Sequence, residues 1–255
     1  MKRIVTSLVL IPLISWVVLG APAWLFFAVL AVVSVLCYFE YSGIVGAHGI
    51  ERPGPTGYGA GLVILASPDG QTAAITLVGA AALALALTAR ELRLGLGRAA
   101  ALLLGVVYVF GAWRCAADLR AVSPYWLFFA LALNWVGDIA AYYAGRALGR
   151  HKLAPQVSPS KTWEGAIGSI CASVLFAALY FPRLLPAVPL IDALFLAAAG
   201  NIAGQLGDLC ESALKRGAGL KDSGTLLPGH GGWLDRVDSS LFAVPVVYAL
   251  VRWIR

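Results

Sequence analysis

Nine apolar runs, separated by short charged or turn-forming stretches, constrain this chain more than any other feature. They are Ile4–Leu19, Ala23–Phe39, Tyr58–Ala66, Thr72–Thr88, Ala99–Trp113, Pro124–Tyr143, Ala166–Phe181, Leu190–Leu206 and Leu241–Ile254. A bilayer core about 30 Å thick needs roughly 17–25 helical residues to cross, and most of the runs reach that length with their flanks. A large soluble core of buried helices fits poorly, because so many consecutive runs leave no polar faces to meet water. Charged residues make up 13% of the chain, about half the usual share of a soluble domain. The pattern predicts an all-α polytopic integral membrane protein with about nine transmembrane helices. Tyr58–Ala66 is short and Gly-rich, which leaves its crossing open. The expected organisation is a set of N-terminal membrane helices over residues 1–115, then a C-terminal region over 116–255 with two charged loops, 145–165 and 207–240.

The start, MKRIVTSLVLIPLISWVVLGAPAW, has the basic, apolar and small-residue order of a signal peptide. Another apolar run opens at Trp24, so a retained first helix is the expectation. Cys37, Cys115, Cys171 and Cys210 lie in or beside apolar segments without a Cys-x-x-Cys pair, and read as small buried hydrophobes. Lys and Arg orient the spans. With nine crossings and a cytoplasmic N-terminus, 14 of the 19 fall on the inner side, and the other 5 are Arg114, Arg120, Arg183, Arg252 and Arg255. That is the bias of the positive-inside rule. The net charge of +6 then reflects inner loops beside anionic lipid and calls for no nucleic acid.

The first half carries little chemistry. Glu40, at the end of the second run, reads as an interfacial charge, and Glu51 with Arg52 as a loop pair. The second half differs, with Asp138, Glu164, Asp208, Glu211, Asp222, Asp235 and Asp238. Ionisable groups at membrane depth cost a few kcal/mol each, which marks them as functional candidates. Asp138 sits inside WLFFALALNWVGDIAAYY, with a packing pair to Arg146 as the alternative. Two membrane runs separate the loops 145–165 and 207–240, so both are expected on the cytosolic side.

From Asp208 to Asp238 the longer loop sets Lys215, Arg216, Lys221 and Arg236 among Asp208, Glu211, Asp222, Asp235 and Asp238. Five carboxylates with four cations suit a hard cation that binds substrate phosphates while Lys and Arg hold the rest of the charge. Asp208 and Glu211, like Asp235 and Asp238, are spaced i, i+3 and share a helix face if helix continues there. Two solvated, charge-rich helix ends are the plainer alternative. Gly217, Gly219, Gly224, Gly229, Gly231 and Gly232 permit close backbone approach and anion-binding amide nests. Gly-Lys-Ser/Thr is missing, so this is no Walker A loop. His230, between two glycines, is placed to bond a phosphate or a carboxylate, or to be structural. The shorter loop, GRALGRHKLAPQVSPSKTWEG, offers Arg146, Arg150, Lys152 and Lys161, the hydroxyls of Ser158, Ser160 and Thr162, and a helix opening near Trp163 that suits an anion.

SALKRGAGLKDSGTLLPGHGGWLDRVD, from Ser212 to Asp238, resembles the signature of the CDP-diacylglycerol synthase (phosphatidate cytidylyltransferase) family. GDIAAYYAGRALGRHKLAPQVSPSKTWEG, from Gly137 to Gly165, is similar to the family's second block, and GDLCES, from Gly207 to Ser212, extends the likeness. Trp233 and Ile139 depart from the residues usual at their positions, and neither change removes a charged group. The resemblance implies transfer of a cytidylyl group from CTP to phosphatidic acid, giving CDP-diacylglycerol and pyrophosphate at the inner face of a bacterial plasma membrane. It implies Mg²⁺, with a second cation also open, on carboxylates drawn from Asp138, Asp208, Glu211, Asp222, Asp235 and Asp238. Lys215, Arg216, Lys221, Asp222, His230 and Arg236 become the expected catalytic groups. Arg146, Ser158, Lys161, Thr162, Gly231 and Gly232 become the expected substrate contacts. The lipid phosphate is the nucleophile and is already ionised, so no strong base is required. The expected partners are the two substrates and the lipid bilayer, with no nucleic acid and with a homodimer open. A CTP-dependent lipid-alcohol kinase is the nearest alternative. A secondary transporter would account for Asp138 but not for the charged Gly-rich loop, and its repeat symmetry is missing.

Overall fold

Backbone amides surrounded by lipid find partners only in helices or closed barrels, and in the computed structural model every apolar run is helical over its described residues. The structure describes residues 2–67, 71–86, 92–226 and 231–254. Its helices are α1 (Lys2–Leu19), α2 (Ala23–Ala47), α3 (Pro55–Ala66), α4 (Gln71–Ala86), α5 (Leu92–Gly105), α6 (Ala112–Val122), α7 (Pro124–Leu148), α8 (Trp163–Leu184), α9 (Leu190–Gly217) and α10 (Leu234–Ile254). Punctuation follows local chemistry. The Ser123 hydroxyl accepts the Tyr125 amide ahead of α7, with Pro124 in the first turn where its missing N–H costs nothing. Thr162 does the same for α8, its Oγ1 accepting the Gly165 amide at 3.1 Å.

Among the described residues, six helices are long and apolar enough to cross a membrane: Ala23–Ala47, Leu94–Val122, Pro124–Leu148, Trp163–Leu184, Leu190–Gly217 and Leu234–Ile254. The chain is thus an all-α integral membrane protein, with six such helices among the described residues where about nine were expected, the crossing of Tyr58–Ala66 being left open. At 1.5 Å per residue, the 12 residues of α3 rise about 18 Å, well short of a 30 Å core. The 16 residues of α4 reach about 24 Å.

Two local expectations change. The run Ala99–Trp113 does not end at Arg114: a π-helical stretch, Val106–Gly111, carries α5 into α6, making one apolar helix of 29 residues. Arg114 is therefore a buried helix residue rather than an outer-loop charge. Its Nη1 donates to the Leu65 carbonyl at 3.0 Å, Nη2 pairs with Asp118 one turn on, and the guanidinium lies over the Phe27 ring. The i, i+4 carboxylate compensates the charge locally, so the helix has no reason to stop. In the shorter charged loop, residues 152–162 form a hairpin of β1 (Lys152–Ala154) and β2 (Ser158–Thr162), with Lys152 opposite Thr162 and Ala154 opposite Ser158.

The chain divides into two units, residues 1–118 with 214–236, and residues 119–213 with 237–255. The first is centred on the fully buried Tyr38, whose ring meets Tyr41, Tyr58 and Phe110. Gly61 leaves the space that the Phe110 ring fills. In the second, α7 and α8 pack closely through small residues, the association mode that lipid favours. A Cβ on Gly165 would lie 2.9 Å from the Ala141 carbonyl, and one on Gly168 would lie 2.6 Å from the Ala144 methyl. Phe129, Phe176, Tyr180 and Phe181 form its aromatic centre.

Candidate functional site

In the second unit, a cavity of about 440 Å³ opens between α7, α8, α9 and the hairpin. Asp138 and Arg146 reach it from α7, Lys161 and Thr162 from β2, and Asp208 from α9. Lys161 Nζ stands 2.6 Å from Asp208 Oδ2, and the Ser212 hydroxyl donates to the other oxygen of Asp208 at 3.3 Å. Arg146 is exposed and donates to the Tyr142 hydroxyl one turn earlier, at 3.1 Å. Ser160 and Gly145 also line the cavity, whereas Ser158 sits at the start of β2, opposite Ala154.

The floor of this cavity is a ladder of neutral polar groups. Asn201 Nδ2 donates to Ser169 Oγ and Ser173 Oγ, each at 2.9 Å. Gln205 Nε2 donates to Asn201 Oδ1 at 2.6 Å, and Asn134 Nδ2 to Ser240 Oγ at 3.3 Å. None of these residues was expected. Their signal is present in α9, where Asn201, Gln205 and Asp208 recur at i, i+4 and i+7 and put one polar stripe on a membrane helix. Asp208 and Glu211 do share α9, as their spacing suggested, and Glu211 is fully buried.

In the first unit, residues 214–236 form the second constellation. Lys215 is 7% exposed and pairs with Asp235 Oδ1. Asp235 Oδ2 accepts the amides of Ser223 at 2.9 Å and Gly232 at 2.8 Å. Both oxygens of Asp235 therefore have partners from the chain itself. Two amides at the start of α10 also turn inward: Trp233 N and Leu234 N donate to the carboxylate of Glu40, at 3.0 and 2.8 Å. Glu40 is thus a buried acceptor and not the interfacial charge that its place at a helix end suggested. Gly231 adopts φ 78°, a conformation that glycine alone takes readily, and a Cβ there would stand 2.7 Å from Asp235 Oδ2. Arg216 is exposed and donates to the Leu220 carbonyl at 3.0 Å. Lys221, Asp222 and Arg236 are exposed. His230 lies outside the described residues.

Asp235 and Asp238 both belong to α10, so the helix that their i, i+3 spacing needs in order to share a face is present. Asp238 Oδ1 accepts the Ser239 amide at 2.6 Å. Among the described residues, no three His, Cys, Asp or Glu side chains gather into a metal cluster. A Mg²⁺ ion needs less than that, since one or two carboxylates plus water and substrate phosphate suffice. Asp138 and Asp208, lining one cavity with amide oxygens and no sulfur or imidazole ligand, are a donor set that fits such a hard cation.

Helices of membrane-crossing length around a cavity lined by Asp138, Arg146, Lys161 and Asp208 define an integral membrane protein with a charged internal cavity. More narrowly, the chain belongs to the Cytidylyltransferase family, whose model matches residues 1–254. A phosphatidate cytidylyltransferase of Bacillus subtilis (strain 168) is 40% identical over 151 residues, covering 58% of this chain and 56% of that protein. One from Staphylococcus aureus (strain COL) is 41% identical over 161 residues, 60% of this chain and 59% of the other. An uncharacterised Escherichia coli (strain K12) protein, YnbB, is 45% identical over 125 residues, 49% of this chain and 42% of its own length. The matches thus span under two thirds of each relative.

Proposed function

We propose that this chain transfers the cytidylyl group of CTP to phosphatidic acid, releasing pyrophosphate. The observation that carries the reading is the cavity in which Asp138 and Arg146 of α7 and Asp208 of α9 stand with Lys161 of the hairpin. A phosphate oxygen of the lipid attacks the α-phosphorus of CTP, the bond from that phosphorus to the bridging oxygen breaks, and the β- and γ-phosphates leave together. Asp138 and Asp208 would hold Mg²⁺, with Asp238, beside the cavity-lining Ser239, as the third carboxylate assigned to it. Bound there, the cation supplies charge neutralisation to otherwise repelling phosphates. Lys161 and Arg146 bind and orient phosphate oxygens, Lys161 as a point charge and Arg146 through a planar fork. The exposed Arg216, Lys221 and Arg236 are assigned to the triphosphate. A base is unnecessary, because the attacking oxygen carries its charge already.

The orientation we propose puts the C-terminal ends of α7 and α9 in the cytosol, supported by the Lys and Arg bias. The bias does not depend on whether α3 and α4 cross. They are consecutive, so the parity is the same if both cross or neither does, and residues 67–71 between them contain no Lys or Arg.

The deciding experiment follows two labels. With phosphatidic acid and Mg²⁺, label at the α-phosphate of CTP is expected in the lipid, and label at the γ-phosphate in pyrophosphate. Transfer of the γ-label to a lipid alcohol, with CDP released, rejects the reading in favour of a kinase.

A further inference from the structure

Glu40 lies in α2, 2% exposed, in a helix whose other buried residues are apolar apart from Ser34 and Ser42. A buried carboxylate is costly unless its oxygens find donors. Glu40 finds them in residues 223–234: the Ser223 hydroxyl donates to Oε2 at 2.9 Å, the Leu234 amide to Oε2 at 2.8 Å, and the Trp233 amide to Oε1 at 3.0 Å. All three are donors, and an ionised carboxylate only accepts. Two glycines make the room. A Cβ on Gly224 would stand 2.6 Å from Oε1, and one on Gly232 would overlap Oε2 and the Ser223 hydroxyl.

The contact does not stop at Ser223. The same hydroxyl accepts the Asp235 amide at 3.3 Å, and the Ser223 amide donates back to Asp235 Oδ2 at 2.9 Å. Asp235 in turn pairs with Lys215. At the end of α2, His48 Nε2 donates to the Leu214 carbonyl at 2.9 Å, so this helix holds residues 214–236 at two points. At the start of α10, where a helix dipole invites an anion, the Leu234 amide is filled by the protein's own Glu40 carboxylate and the Asp235 amide by the Ser223 hydroxyl.

We propose that Glu40 is the positioning residue of the transfer reaction. It is an internal anion that gathers the donors of Ser223, Trp233 and Leu234 and, through Ser223, Asp235 and Lys215, orders the backbone that carries Arg216, Lys221 and Arg236, the cations assigned to the triphosphate. The inference rests on the reading of the chain as a phosphatidate cytidylyltransferase, and it goes beyond that reading in giving a first-half residue a part in the chemistry.

The test uses the full-length protein in detergent or vesicles. Glu40→Gln keeps the size but sets an NH₂ group against N–H and O–H donors. Turnover per folded molecule is expected to fall about a hundredfold, the cost of misplacing groups at a reacting centre, with KM moving less than about threefold. Glu40→Asp keeps the carboxylate and is expected to recover most of the loss. Ser223→Ala, which only deletes the link, is expected to cost about tenfold and to add little to Glu40→Gln, because the two changes act through one contact. Trypsin gives a readout independent of activity: cleavage after the exposed Arg216 and Lys221 should be faster in Glu40→Gln and unchanged in Glu40→Asp. Normal turnover per folded molecule in Glu40→Gln, whatever its yield, overturns the proposal and leaves the assigned reaction standing. Failure of the parent protein to move α-label from CTP to lipid rejects the reaction instead, and the trypsin comparison then decides whether Glu40 orders the segment.

Discussion

Lys161 Nζ and Asp208 Oδ2 lie 2.6 Å apart, so the second strand of the hairpin is tied to α9 by an ion pair in the cavity wall. The two side chains keep 25% and 30% of their exposure, and pairs that accessible contribute at most about 1 kcal/mol to stability. The pair is therefore expected to matter for chemistry far more than for folding. Asp208→Asn should lower cytidylyl transfer by about a hundredfold or more, on the scale of losing one charged contact to a transition state. Its melting temperature in detergent should stay close to that of the parent. A normal rate removes Asp208 from the site.

The proposed metal dependence is tested on the oxygen donors of the same cavity. Chelation with EDTA is expected to stop transfer, and Mg²⁺ to restore it. Asp138→Asn should raise the Mg²⁺ concentration for half-maximal rate by about tenfold or more, since a lost carboxylate ligand is a large part of a Mg²⁺ site. Asp192→Asn, on the first turn of α9, is the control. Equal Mg²⁺ curves for Asp138→Asn and the parent count against the ligand assignment.

Close packing around Gly137 makes a stability prediction. A Cβ there would overlap Asn201 Nδ2 and stand 2.6 Å from Ser169 Oγ. Gly137→Ala should cost about 1–3 kcal/mol through overpacking, read as a melting temperature several degrees lower. Gly43→Ala, where a Cβ meets nothing within 4 Å, should instead gain about 0.5–1 kcal/mol from the better helix propensity of Ala. A tolerated Gly137→Ala would mean that the amide ladder moves aside at little cost.

Arg114 offers a test of buried charge. Arg114→Leu leaves the Leu65 carbonyl and the Asp118 carboxylate without that partner, a loss of about 3–5 kcal/mol for a buried pair. Arg114→Leu with Asp118→Leu should recover part of it. If the double variant melts no higher than the single one, the pair is not what makes Arg114 costly to remove.

Orientation is testable by cysteine labelling in a background free of Cys37, Cys115, Cys171 and Cys210. Ser160 and Lys221 are exposed and are suitable sites, whereas Ser223 is buried and is not. A membrane-impermeant reagent is expected to reach Ser160→Cys and Lys221→Cys only after the inner face is opened. Labelling from the outer face of sealed vesicles reverses the assignment.

Much was legible in the sequence because membrane helices are a local problem. An apolar run has no choice but to pair its own amides, so α2 and α7 to α10 stand where the runs Ala23–Phe39, Pro124–Tyr143, Ala166–Phe181, Leu190–Leu206 and Leu241–Ile254 put them. The resemblance carried by Gly137–Gly165 and Ser212–Asp238 agrees with the family match, for a related reason: charged residues at such fixed spacing rarely recur by chance. Span length was less legible. Hydropathy sees Arg114 as an end, while the Asp118 carboxylate one turn later lets the helix run on to Val122.

Only the tertiary structure decided what Glu40 does. Two of its three partners are backbone amides, which have no residue type to announce them, and Ser223 lies 183 positions away. No periodicity or composition records such a pairing. The same holds for Asn201 with Ser169 and Ser173, ordinary small polar residues until α8 and α9 meet. By sequence, the glycines of residues 217–232 offer room for a ligand's phosphates. At Gly224 and Gly232 they are room for the protein's own carboxylate, because a buried charge must be answered by whichever donors the fold brings to it.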